Sequence, residues 1–374
     1  ASACTSAPAD APGDRVEPAV PSPTSTATTE PAREGEVTLA FGGDVHFEAG
    51  VAQLLERPRQ GLGAIGRTLR AADVAMVNLE TPVTRRGRPD PKELENAGDR
   101  YWFRTGPRAL DVLGAAGVDV VSVANNHAGD YGAVGLEDTL AAGRQRGIAM
   151  VGAGRGDAAY APHVVEVGDL EVAFLAAAGV QREGASDVWS ARQGALGTAS
   201  ARGSNAAGLV AAVEAASAQD QLVVVYLHWG KEYESCPTHS QRLLARDLAD
   251  AGADVVVGSH SHVLGGAGWA GDTLIAYGLG NFVWYHDRQA ETGVLSVTLD
   301  ADGVVGKSWT PARISPVDGR PVPVTGADRR RAVADFRARQ RCTGLAPERG
   351  GAQEDDPAYE SSISRIDADL AERM

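Results

Sequence analysis

The chain is poor in cysteine, short of positive charge and without any long apolar run. Three cysteines in 374 residues are too few to staple a small scaffold, and a chain of this length buries a large core without them. No stretch of about 18 apolar residues occurs, so no segment reads as a membrane-spanning helix. Lys and Arg number 35 against 49 acidic residues, a net charge of -14. Such a balance carries no polybasic patch, which argues against nucleic acid or an anionic membrane surface as an electrostatic partner. A polyanionic substrate would have to be met locally, by metal ions and a few arginines. There is no internal repeat.

The cysteines that are present inform by position. Cys4 follows Ala1-Ser2-Ala3 and precedes a Ser/Thr/Pro tract, which resembles the end of a bacterial lipoprotein signal. Ala1 stands where that signal usually has leucine. The expectation is an extracytoplasmic cell-membrane lipoprotein, tethered by a lipid on Cys4 alone. Residues 1–35 then read as a stalk that cannot offset its ordering entropy. Cys236 and Cys342 form an even pair suited to an exported protein; they are either bridged or two buried thiols.

A folded domain is expected over residues 36–315, and a C-terminal helical extension with a polar tail over 316–374. Val37–Phe41, Asp73–Val77, Val118–Val123 and Ala149–Val151 read as strands, alternating with helices near 63–71, 107–116 and 134–146. Residues 85–100 are polar and read as a loop over the site; 181–204 read as irregular. Val164–Val167 and Glu171–Leu175 flank a Gly168-Asp169 turn, a hairpin signal. Helices are expected at 206–216 and 237–251, strands at 222–227 and 254–257, and closely spaced strands from 274 to 309 that suggest antiparallel pairing. A basic helix is expected over 329–341, and the tail beyond Cys342 reads as mobile. The pattern predicts an α/β domain with two sheets packed together.

Five histidines and two acids sit where predicted strands run out. The segments are Gly43-Asp44-Val45-His46, Asn78-Leu79-Glu80, Asn125-Asn126-His127, His228-Trp229-Gly230 and Gly258-Ser259-His260-Ser261-His262. Ligands in open α/β sheets gather at the carboxyl ends of strands. Asp44 and His46, like His260 and His262, are two apart, so each pair points to one side of an extended chain. Glu80 is a candidate bridge between ions, and Asn126 supplies an amide oxygen. Mixed oxygen and nitrogen ligation without cysteine suits two divalent transition-metal ions, Mn, Zn or Fe, over calcium. Each piece alone has a plainer explanation, such as a turn or a satisfied core histidine; coincidence of all of them, in order, does not.

Together with Tyr277-Gly278-Leu279-Gly280-Asn281-Phe282 and Ala124 to Gly132, these segments resemble the CapA-type capsule-synthesis proteins, named for poly-γ-glutamate capsule assembly, within the calcineurin-like metallophosphoesterase superfamily. The resemblance covers about Val37 to Leu299. It implies a two-sheet αββα sandwich. It also implies that Asp44, His46 and His262 serve one metal, that Asn126, His228 and His260 serve a second, and that Glu80 bridges them. His127 matches the general acid. The departure is Glu80 with Asn78, where the superfamily has a Gly-Asp pair.

Other residues carry weaker signals. Asp130 is a candidate to orient His127 or a turn residue. Glu232 supports His228 or is simply exposed. Asn281 contacts the site or caps a turn, and His163, His239 and His286 read as surface residues. Arg104, beside Trp102 and Phe103, is a candidate contact for an anionic substrate. The implied function is a surface-anchored dimetal hydrolase-like protein that handles an anionic polymer, a phosphoester or a γ-glutamyl substrate, within a capsule-synthesis membrane complex. The alternative is a non-catalytic assembly factor that binds an anionic polymer.

Overall fold

Runs such as Val37–Val45 and Leu222–Gly230 are apolar on both alternating faces, the pattern of strands covered on both sides. The computed structural model describes residues 35–93, 98, 100–180, 188–192, 194–286 and 288–351. Cys4, the expected stalk and the last 23 residues lie outside them. In chain order the first elements are β1 (Val37–Val45), α1 (Gly66–Arg70), β2 (Val74–Leu79), α2 (Arg108–Ala116), β3 (Val120–Ser122), α3 (Gly132–Arg146), β4 (Ala149–Val151), β5 (Ala153–Arg155), β6 (His163–Val167), β7 (Leu170–Val180) and β8 (Leu196–Thr198). Next come α4 (Ala206–Ser217), β9 (Leu222–Gly230), α5 (His239–Asp250), β10 (Val255–Ser259), β11 (Ala267–Ala270), β12 (Thr273–Ala276), β13 (Asn281–Val283), β14 (Glu291–Asp300), β15 (Gly303–Ile314), β16 (Pro321–Pro323) and α6 (Gly326–Ala338).

One sheet has the order β16-β15-β14-β1-β2-β3-β4, with β13 beside β1; the other has β11-β12-β10-β9-β7-β6. Their facing sides share one core. Leu39, Phe41 and Met76 from the first sheet meet Phe174, Val224, Tyr226 and Val257 from the second. The opposite side of the first sheet packs Ala40, Ala75 and Val77 against Leu69 of α1 and Leu110 and Leu113 of α2. The opposite side of the second packs Val223, Val225 and Leu227 against Leu209 of α4 and Leu244 and Leu248 of α5. Alternate residues of β1 and β9 therefore serve different cores, and the layers read helix, sheet, sheet, helix. This is the expected two-sheet αββα sandwich. Each fully buried Leu, Val or Phe contributes about 1.5–3 kcal/mol relative to exposure.

The central strands β1 to β4 run parallel, as do β7, β9, β10 and β12. The parallel strands end at a common rim, where the site lies. Close approach is required there. A Cβ on Gly43 would lie 1.9 Å from the carbonyl oxygen of Gly280, which accepts the Asp44 N–H at 2.9 Å. Only glycine permits that contact.

Three expectations are corrected. The strands between 274 and 309 are not uniformly antiparallel: β14 and β15 are, but β12 pairs parallel with β10 and β13 parallel with β1. The reason is that the β11–β12 hairpin returns the chain to the direction of β10, which sequence spacing does not reveal. The stretch 181–204 contains β8, paired with β5; residues 181–187 and 193 lie outside the described residues. The chain beyond Cys342 is held as far as Gly351, by the Trp269–Ala346 backbone pair and by Arg349 on Asp272.

Cys236 and Cys342 are bonded, with Cα atoms 5.5 Å apart. The bond joins the loop before α5 to the 3-10 turn after α6. Its partners are 106 residues apart, and the chain-entropy relation assigns such a loop about 4–5 kcal/mol. The Cys342→Ser variant is therefore expected to unfold at clearly lower temperature than wild type in a thermal melt without reductant. Dithiothreitol should lower the wild-type midpoint toward that of the variant, and an unchanged midpoint in both cases would show that the crosslink is energetically idle.

Candidate metal centre

Each donor arrives at the end of a parallel strand. Asp44 lies at the end of β1, Glu80 just past β2, Asn126 and His127 in the turn after β3, His228 near the end of β9, and His260 and His262 just past β10. All are buried. Donor atoms of Glu80, His228 and His260 form one group within 4.8 Å of one another; those of Asp44, Glu80 and His262 form a second. Glu80 belongs to both. His228 Nε2 lies 2.8 Å from Asn126 Oδ1 and 3.1 Å from His260 Nδ1, so Asn126 joins the first group. Two nitrogens each about 2.1 Å from one ion sit roughly 3 Å or slightly more apart, and this spacing fits the donors present.

Asp44 is fixed from two sides. Asn78 Nδ2 donates to its Oδ1 at 2.8 Å, and the His260 N–H donates to its Oδ2 at 3.0 Å. Asn125 in turn donates to Asn78 Oδ1 and to the Leu79 carbonyl. Burial pushes the Asp44 carboxyl up, but the bond to His228, with the charges of His228 and His262, outweighs it and holds the group well below the usual carboxylate range. The backbones of His260 and His262 adopt φ of 89° and 58°. Left-handed conformations cost non-glycine residues about 1–3 kcal/mol each and cluster at functional sites.

His46 belongs to neither donor group. Its Nδ1 accepts the Glu48 N–H at 3.0 Å, and its buried Nε2 has no hydrogen-bond partner among the described residues. The ring is stacked on Phe103 and set edge-on to Trp284. An orphaned buried ring nitrogen is what a ligand position leaves behind, so the residue fits a place beside the Asp44 group.

His127 Nδ1 lies 2.8 Å from Asp130 Oδ2, and its Nε2 lies 3.9 Å from Glu80 Oε1. Phe103 stacks on His127 at 4.1 Å as well as on His46 at 4.6 Å. Asn281 contacts the site: its Oδ1 is 2.8 Å from His262 Nδ1. Glu232 is exposed. Arg104 is exposed and holds its guanidinium over the Tyr131 ring. His163 and His239 are exposed, as expected. His286 is not a surface residue; it is half-buried against Tyr285 and Trp284, because the turn after β13 folds over the site. Sequence reasoning missed Phe103, Lys92 and Trp284, and gave no role to Asn78, Asn125 or Ser259, whose Oγ lies 3.1 Å from His228 Nδ1. The two asparagines lie inside recognised strand-end segments, so a signal existed; Lys92 and Phe103 come from a loop without periodicity.

A family described as the bacterial capsule synthesis protein PGA_cap matches residues 38–286. The chain belongs to this family. The PGA biosynthesis protein CapA of Bacillus subtilis (strain 168) is 30% identical over 296 residues, covering 77% of this chain and 74% of the relative. The capsule biosynthesis protein CapA of Bacillus anthracis is 31% identical over 310 residues, covering 79% and 71%. A probable polyglutamine synthesis accessory protein of Mycobacterium tuberculosis is 29% identical over 267 residues, covering 60% and 68%. A solved structure of a hypothetical protein from Thermus thermophilus aligns over 74% of this chain and 99% of its own, at 17% identity and a TM-score of 0.45, too distant to carry an argument.

All the donors of this capsule synthesis family member fall inside the matched residues, whereas β14 to β16, α6 and Cys342 fall beyond them. Among the described residues no helix is long and apolar enough to cross a membrane.

Burial, reinforced by neighbouring histidines, holds His46 and His260 well below the ordinary imidazole value of 6.5. Near that pH the unfolded chain binds protons at these positions that the native chain refuses. The stability they contribute is present above the unfolded value and is lost as pH falls below it. Asp44, also depressed, acts in the same direction at lower pH. Chelator-treated protein is therefore expected to melt at progressively lower temperature between about pH 7.5 and pH 5.5. A melting point that rises or stays level across that window contradicts the buried, neutral histidines.

Proposed function

We propose that this capsule synthesis family member is an extracytoplasmic dimetal hydrolase that acts on an envelope polymer or one of its precursors. The observation that carries the reading is the pair of buried donor groups sharing Glu80. Asp44, Glu80 and His262, with His46 alongside, would hold one divalent ion; Glu80, His228, His260 and Asn126 would hold the other. When bound, Mn, Zn or Fe ions would supply Lewis acidity and a water of lowered pKa. The chain's own residues do the rest. Asn78 and the His260 N–H keep Asp44 in place, and Asn281 orients His262. Phe103 and Trp284 wall the site and exclude water from one side. His127 is held by Asp130 with Nε2 toward the donor groups, where it can pass a proton to a leaving group.

Relatives named for PGA and polyglutamine synthesis support a glutamyl polymer as substrate, with phosphoesters as the other class that such a centre hydrolyses. They also support work beside the machinery that synthesises such a polymer, which we place at the membrane as part of the same proposal. The Cys4 segment supports tethering by a lipid, with the polar stalk as spacer.

Three outcomes test this. Protein purified without chelator should carry about two transition-metal ions by plasma emission, and Asn126→Ala should lower that number. His127→Ala should keep its metals yet lose turnover by about 10²–10⁴-fold on whichever of phosphomonoesters, phosphodiesters and γ-glutamyl oligomers wild type cleaves. If metal-loaded wild type cleaves none of them and capsule assembly survives His127→Ala, the chain is a polymer-binding assembly factor instead. Membrane-extracted protein should also show a diacylglyceryl addition on Cys4 by intact mass; an unmodified Cys4 on membrane-associated protein refutes the tether.

A further inference from the structure

A cavity of about 350 Å³ lies between the β14–β15 pair and α6, a size in the range of small-molecule sites. None of the metal-centre donors lines it. Apart from Leu264, all of its lining residues fall beyond residue 286, where the family match ends. It nevertheless belongs to the same rim. Leu295 of β14 pairs with Phe41 of β1, so the start of β14 lies toward the end of β1 that carries Asp44, and Leu264 stands just past His262. The floor of the cavity is apolar. Trp309 stacks on Phe336 with ring centres 4.2 Å apart, Leu264 and Pro311 complete the lining, and all four are buried. Gly293 makes the stack possible, since a Cβ there would lie 2.5 Å from the Trp309 ring.

Two buried donors on these lining residues, Trp309 Nε1 and Arg339 Nε, have no hydrogen-bond partner among the described residues. Another edge of the same guanidinium is spent on Glu291, whose Oε2 accepts from Nη2 at 2.6 Å. Buried polar atoms are nearly always partnered, and each exception calls for an explanation. An indole N–H and a guanidinium N–H only donate, so what they call for is an acceptor. Charge narrows the choice. Arg313 and Arg331 stand exposed at the lip, as do Asp328 and Asp335. With Arg339 and Glu291 the lining therefore holds three guanidinium groups and three carboxylates. A single negative charge is met by the donors of the floor, whereas a doubly charged phosphate would face the two lip carboxylates as well. A carboxylate offers two acceptor oxygens in one plane, one for each orphaned donor, and the apolar floor suits a methylene stem.

We propose that this cavity is a second binding site, separate from the metal centre, which takes a carboxylate carried on a short apolar stem, with Trp309 Nε1 and Arg339 Nε as its donors. A free dicarboxylic acid and the side chains of a carboxylate-bearing polymer share that chemistry. The site needs neither metal ions nor turnover, so it stands or falls apart from the hydrolase reading.

The test uses the full chain, ¹⁵N-labelled and treated with chelator so that no bound ion competes for carboxylates. The Trp309 indole N–H resonance is assigned by its absence in Trp309→Phe. Glutarate, a carboxylate on a methylene stem, should shift that resonance saturably, with a Kd in the millimolar range or tighter. Trp309→Phe keeps an aromatic ring on Phe336 and loses only the donor; Arg339→Lys keeps a cation for Glu291 and loses Nε. Each should weaken glutarate binding by about tenfold or more in calorimetry, the usual effect of losing a hydrogen bond to a charged group, while melting as wild type does. Inorganic phosphate should shift the resonance less than glutarate. A γ-glutamyl oligomer that acts at lower carboxylate concentration than glutarate identifies polymer side chains as the source, and glutarate acting alone identifies a free acid. A Trp309 resonance that glutarate and the oligomer both leave unmoved overturns the proposal whatever the variants do. An equal or stronger response to phosphate overturns it too, and so does wild-type affinity in both folded variants.

Discussion

The structure depends on bringing electron-pair donors together in a place that water does not reach. Asp44, Glu80, His228 and His260 are all buried, and several face one another at hydrogen-bonding distance or little more. Burying ionised carboxylates costs several kcal/mol each unless partners replace water. The partners are supplied by the fold: Asn78 and a main-chain N–H for Asp44, and Asn125 for Asn78. The strained backbones of His260 and His262 add to the cost. A bound cation would be the simplest agent to turn this crowd of acceptors into a stable arrangement.

Two sheets are needed because neither alone owns the site. The first delivers Asp44, Glu80, Asn126 and His127; the second delivers His228, His260 and His262. Tyr226 of β9, whose hydroxyl donates to the Gly42 carbonyl across the shared core at 2.8 Å, joins the sheets directly behind the donors. Burial raises that hydroxyl well above the ordinary tyrosine range, so it stays a neutral donor. Packing between the sheets thus sets the distance between the donor groups, and Glu80 spans it.

A layer built from loops covers this rim. Phe103 lies between two imidazoles, Trp284 meets His46 and His262, and Lys92 reaches Asp130 from the same loop system as Phe103. These residues convert an open strand-end cluster into a walled site in which ring orientations are determined. Exposed Tyr101, Tyr233 and Tyr285 stand on the segments that approach the opening.

The sequence by itself determined the strands that end in ligands, because apolar runs followed by Asp, His, Glu or Asn declare both a buried strand and a polar stop. It determined most helices for the same reason of periodicity, and it singled out as candidates the residues that the fold gathers into two groups sharing Glu80. It left open whether Cys236 met Cys342, since pairing across 106 residues depends on where α5 and the turn after α6 come to rest. It could not show β12 running parallel to β10, which follows from the β11–β12 hairpin reversing the chain, or β13 running parallel to β1. Nor could it place His46 outside both donor groups, or set Lys92 and Phe103 behind and between histidines. Those contacts join segments that no local pattern links, and only the packing of two sheets and the loops over them brought the side chains within reach.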